Sequence, residues 1–182
     1  MSANQATDVL HFWFQELSRQ QWFVVSAEID RAIGERFGAT HLALARGEVA
    51  SWRETPEQRL AAIIVLDQFS RNIYRGTPLA FAADWIALRE ARLAIDAGAD
   101  QAVPAEYRTF FYLPFEHSET LSDQERSVEL FQALGDAEYL DYAERHLAVI
   151  REFGRFPHRN GLVGRESTSA ELDYLSKPGA GF

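Results

Sequence analysis

Residues 153–160 read FGRFPHRN, and GLVGR carries the segment on to Arg165. Arg155, Arg159 and Arg165 stand there with His158 and Asn160, and no acid interrupts them before Glu166. Guanidinium groups beside polar backbone suit a carboxylate or a phosphate, because each offers a planar fork of donors. Gly154, Pro157, Gly161 and Gly164 make the segment a shaped turn after a helix, so Arg155 is expected to cap that helix's last carbonyls. That role accounts for one arginine. The others either anchor an anionic ligand or pair with the chain's own acids: Glu166, Asp67, Glu116 and Glu119.

A second group lies in RLAAIIVLDQFSRNIYRG at 59–76. Leu60 to Leu66 is apolar all round, the mark of a buried helix. Asp67 follows in line with Leu60, Ile63 and Ile64, so its carboxylate points toward the core. A buried carboxylate without a partner costs several kcal/mol, about 3 or more, so it must be paired or protonated. Arg71 is one turn away in pairing reach, and Gln68, Asn72 and Arg75 continue the polar patch. The pattern fits a structural ion pair, or a polar pocket in which Arg71, Asn72 and Arg75 face an anion.

The third group is FFYLPFEHSE at 110–119. Pro114 removes a backbone donor and frees the Phe110 carbonyl, so the helix is expected to bend or end there. His117 is in register with Phe110 and Leu113. On that stripe an imidazole is a core residue, a general acid/base or a metal ligand. Glu116, His117, Glu119, Asp67 and His158 have the oxygen and nitrogen chemistry of ligands, but no pair has a specific metal spacing such as HExxH, and no metal or cofactor is expected.

The elements that must position these residues are helical throughout. Val9, Leu10, Trp13, Phe14 and Leu17 form an apolar stripe at helical spacing. Ser26 caps a helix that runs past Gly38 to Gly47. TPEQ at 55–58 reads as a capping box opening a helix that ends near Tyr74. Thr77–Pro78 starts another, ending near Gly98, and a fifth begins at about Pro104. SDQE at 122–125 reads as a capping box, a helix spans about Ala137 to Phe153 with Gly154 as left-handed cap, and TSAE at 168–171 caps a short last helix. No strand alternation or hairpin turn is visible. The fold class expected is all-α, with antiparallel helix pairs packed as a TPR-like α-solenoid or compact helical array over a single domain, 1–182, and a frayed tail, SKPGAGF, at 176–182.

Composition bounds the function. The 182 residues suit one sizeable core. A net charge of −9 weighs against a nucleic-acid or anionic-membrane surface, both of which need a basic patch. The absence of cysteine excludes disulfides and thiolate chemistry. Neither a signal-peptide pattern nor an apolar run near 20 residues is present, so a soluble, cytoplasmic protein is expected.

Three segments in combination resemble a bacterial domain-of-unknown-function family, number 924: LDQFSRNIYRGTPLAF at 66–81, FYLPFEHSE at 111–119 with DQERSVELF at 123–131, and FGRFPHRN with LVGREST at 153–168. The resemblance implies an all-α, TPR-like fold and no particular activity. From the residues themselves, one expectation is a pocket made by the three polar segments. In it Arg71, Asn72, Arg75, Arg155, Arg159, Asn160 and Arg165 bind an anionic small molecule or a peptide carboxylate. Any catalysis, hydrolysis or group transfer, falls to Glu116, His117 and His158, with Asp67 orienting one of them. The other expectation is a peptide- or protein-binding module in which the polar cluster is a structural ion-pair network.

Overall fold

The computed structural model describes residues 3–181. Among the described residues it is all-α, with no strand: nine α-helices, α1 (Ala3–His11), α2 (Ala27–Ala45), α3 (Pro56–Ile64), α4 (Ser70–Ile73), α5 (Asp84–Asp96), α6 (Ala105–Glu116), α7 (Leu121–Leu134), α8 (Ala137–Phe153) and α9 (Ser169–Leu175), with short 3-10 and π-turns in several of the connections.

The chain forms two compact units, Met1–Arg75 with Leu79–Pro114 and Gly76–Pro78 with Phe115–Phe182. In the first, α3 is the central helix, and Leu60 through Leu66 have no more than 2 % of their surface exposed. Its principal packing joins alternate helices: α1 with α3, α3 with α5, and α2 with α4. Phe12, Trp13, Phe37, Phe69 and Phe110 fill the space with tilted and edge-on ring contacts. In the second unit, α7 and α8 pack along each other across the two-residue turn Gly135–Asp136. Val149, Ile150 and Phe156 form a small core there, with Phe153 and Tyr174 against it. The expected succession of neighbouring pairs is met by α7–α8; in the first unit the dominant contacts skip a helix, because α3 is apolar on every side and draws partners from both directions.

Local signals account for most boundaries. Ser26 Oγ accepts from Ile29 N at the start of α2, and Gly47 follows its end with φ +116°. Thr55 Oγ1 accepts from Gln58 N, while Gln58 reaches one residue further back than a capping box requires, to Glu54 N. At α9 both halves of the Thr168–Glu171 box are present. Gly154 caps α8 with φ +68°, its N–H donating to the Ile150 carbonyl.

Three expectations are corrected. Pro78–Phe81 forms a 3-10 turn, and the helix begins only at Asp84. Pro114 does not stop α6, which runs two residues further, to Glu116. Ser122 does not cap α7: the helix begins at Leu121, Ser122 is already inside it, and Ser118 supplies the local polar contacts by accepting from Thr120 N and donating to Asp123. The tail from Ser176 continues as turns to Gly181, and Phe182 lies outside the described residues. No described helix is long and apolar enough to cross a membrane.

Candidate functional site

Asp67 lies in the first unit on a π-turn, Val65–Phe69, between α3 and α4. The widened turn places side-chain donors on backbone carbonyls: Ser70 Oγ donates to the Leu66 carbonyl and Arg71 Nη1 to the Asp67 carbonyl. Asp67 is 1 % exposed and sits 3.2 Å from Arg71 Nη1. Arg71 also forks onto Asp84 at the start of α5, at 3.0 and 3.2 Å. Burial opposes the charge on Arg71, but Asp67 and Asp84 more than offset it and hold its pKa above the ordinary value. One turn on, Arg75 forks onto Asp30 of α2 at 2.6 and 2.8 Å, and Asn72 donates to the same carboxylate. Burial would raise the Asp30 pKa; the hydrogen bonds from Arg75 and Asn72 override it and leave it lowered. On the other side of the π-turn, buried His41 meets Ser70 Oγ at 2.6 Å through Nε2.

The second unit brings the other two segments together. Glu119 accepts two bonds from Arg165, at 2.7 and 2.9 Å, and one from Phe156 N at 2.8 Å. These bonds tie the end of the 110–119 segment to the basic loop. Burial works against the Glu119 carboxylate, yet the Arg165 and Phe156 bonds keep its pKa below the usual range. Arg155 forks onto Glu171 of α9 at 2.6 and 2.8 Å and donates to the Glu166 carbonyl. Arg155 therefore ties the loop to α9 through these bonds. Glu171 also accepts from Thr168 N, and these bonds, Arg155 first, hold its pKa far below normal.

Phe156, fully buried, is the centre of a denser group. His146 and His158 lie 5.6 and 5.5 Å from its ring, and the Arg159 guanidinium stands 4.6 Å over it. Glu116 is buried, and its Oε1 is 3.5 Å from His146 Nδ1. That nitrogen is also 2.8 Å from the Tyr142 carbonyl, a partner that only accepts, so Nδ1 carries the proton. Burial drives the His146 pKa down to about 3, against the Tyr142 bond and with the help of His117, His158 and Arg159. His146 is thus a neutral imidazole whose Nε2 bears the lone pair. Asn160, almost wholly buried, donates to Ser167. Gln124, fully buried on α7, donates to the Glu116 and Ser118 carbonyls at the end of α6 and so fixes the backbone that carries Glu116 and His117.

Glu116, His117, Arg155, His158, Arg159, Asn160 and Arg165 therefore share one unit. Asp67, Arg71, Asn72 and Arg75 belong to the other. Sequence reasoning missed His146, although its position on the Tyr139–Ala143–Leu147–Ile150 stripe marks it as an inward imidazole. It also missed Asp30, Asp84 and Glu171 as arginine partners, because nothing in sequence spacing connects residues 13 to 45 apart. Among the described residues, no three His, Asp or Glu side chains form a metal-holding group.

The model of the family DUF924, "Bacterial protein of unknown function", matches residues 9–179. The chain belongs to that family. A solved structure of a protein of unknown function from Agrobacterium tumefaciens is similar to this family member along nearly its whole length. The identity is 43%, the match covers 97% of this chain and 99% of the other, and the TM-score is 0.93. None of the curated proteins compared with the chain matches it.

Proposed function

We propose that the chain is a helical binding module whose arginine-rich clusters are internal ion-pair networks, and that it takes up a basic amphipathic segment of a partner protein. The carrying observation is the pairing. Arg71, Arg75, Arg155 and Arg165 each direct two donors at an acid of their own chain, at 2.6–3.2 Å. Forks already filled by internal carboxylates are poor receptors for an external anion.

A groove on the α7–α8 hairpin supports the binding role. It holds about 670 Å³, with Val128, Leu147 and Ala148 offering apolar surface and Glu144, Arg151 and Glu152 around them. Arg151 lies 3.3 Å from Glu125, so its charge is matched, and Glu144 and Glu152 leave the rim acidic. An apolar floor with an acidic rim complements a helix that is apolar on one face and basic on the other. Helix-pair arrays of the TPR-like kind offer such surfaces; that support is fold analogy.

The test is titration with a fluorescent Leu/Lys amphipathic helical peptide at low and moderate salt. Saturable binding that weakens with salt and is lost in Ala148→Arg, an exposed groove position, is expected. Equal binding by wild type and Ala148→Arg, or none by wild type, overturns the groove assignment.

A further inference from the structure

On α5, Trp85 and Leu93 are 64 % and 40 % exposed, and Trp85 is the largest of the exposed apolar side chains. Arg89 stands between them on the same helix face, one turn from each. Its guanidinium lies 5.6 Å from the Trp85 ring centre, and Arg59 of α3 donates to the Leu93 carbonyl at 3.4 Å. The apolar residues are thus bordered by guanidinium groups at both ends. We propose that this face is the basic amphipathic segment the groove takes up: α5 of one copy docks on the α7–α8 groove of a second copy of the chain. The inference rests on the groove reading above and names its occupant.

The sign of the charge supports this choice. Arg53 and Arg89 share one carboxylate, Glu90, at 2.6 and 2.8 Å, so that group carries a net positive charge. Arg59 adds to it. Arg71 matches Asp84 at the start of the helix, and Arg92 and Asp96 cancel in the sum along the exposed face. The surplus persists with every one of these pairs formed.

The groove is the counterpart, with Val128, Leu147 and Ala148 set between Glu144 and Glu152, and Arg151 matched by Glu125. A net charge of −9 sets copies against one another in general, so a stable encounter needs a positive patch of one to meet a negative patch of the other. An indole beside a guanidinium is the kind of anchor on which interface energy concentrates. The contact is heterologous: each copy offers α5 to one neighbour and its groove to another.

The experiment is sedimentation velocity on the full chain from micromolar to millimolar concentration, with Trp85→Glu and Ala148→Arg alone and mixed. Wild type should rise above the mass of one chain as concentration increases. Each variant alone should associate about tenfold or more weakly, with unchanged circular dichroism. Their equal mixture should recover association but stop at two chains, since one variant keeps α5 and the other keeps the groove. The Leu/Lys peptide should dissociate the wild-type assembly. Wild type that stays a single chain while its groove binds the peptide overturns this contact and leaves the groove reading standing; failure to bind the peptide overturns both. Association that survives either substitution, or a mixture no better than the two variants apart, also overturns the contact.

Discussion

Arg71 is the residue on which the first unit's polar interior depends. It holds two carboxylates, Asp67 and Asp84, and the first of them is fully buried. Arg71→Ala removes the guanidinium from both and is expected to cost about 3 kcal/mol, measured as a shift of the urea midpoint at unchanged slope. His146 makes a prediction in pH. Its folded pKa, pushed to about 3, lies below the ordinary 6.5, so the unfolded chain binds the extra proton as pH falls from 6.5 toward 3. Its contribution is complete above 6.5 and declines through that window, by about 2 kcal/mol between pH 7 and 5. His146→Gln, which does not titrate, should lose correspondingly less stability over the same interval. His41, also lowered by burial, acts in the same direction in both proteins. The burial of Asp67 and its pairing with Arg71 were legible in the sequence from one helical turn. Asp84 was not, because its approach to Arg71 depends on the packing of α5 against α3.

Among the elements, α6 and α7 are joined by a device with no local sequence signature. A helix end leaves its last carbonyls without partners, and at α6 the Gln124 amide, from the next helix, supplies donors to them. Gln124→Ala should cost about 2 kcal/mol, the desolvation of carbonyls left without a donor, and should broaden the NMR signals of Glu116 and His117. Asp136→Ala, which removes the acceptor for Glu138 N and Tyr139 N at the start of α8, should cost about 1 kcal/mol by thermal unfolding. Helix ends governed by neighbours three or four residues away were read well: Ser26, Thr55, Gly154 and the Thr168–Glu171 box all stand as expected. SDQE has the composition of a capping box, but the helix begins one residue earlier, after Thr120, whose side chain makes no capping bond, and Ser118 accepts from Thr120 N and donates to Asp123.

For the whole molecule, an acidic chain pairs many of its arginines with its own acids. The pairs Arg71–Asp84, Arg75–Asp30, Arg155–Glu171 and Arg165–Glu119 join segments that are distant in sequence, so they tie helices and loops together within each unit. The sequence showed that basic and acidic residues were available in comparable places. It left open whether they met each other or a ligand, since that depends on long-range packing. The most direct test is a double-mutant cycle on Arg165 and Glu119 in urea unfolding. A structural network predicts that Arg165→Ala destabilises the wild type more than the Glu119→Ala variant, where only its bond to the Phe156 carbonyl is left to lose, a coupling of about 1 kcal/mol or more. Equal and negligible effects of Arg165→Ala in both backgrounds would contradict the account.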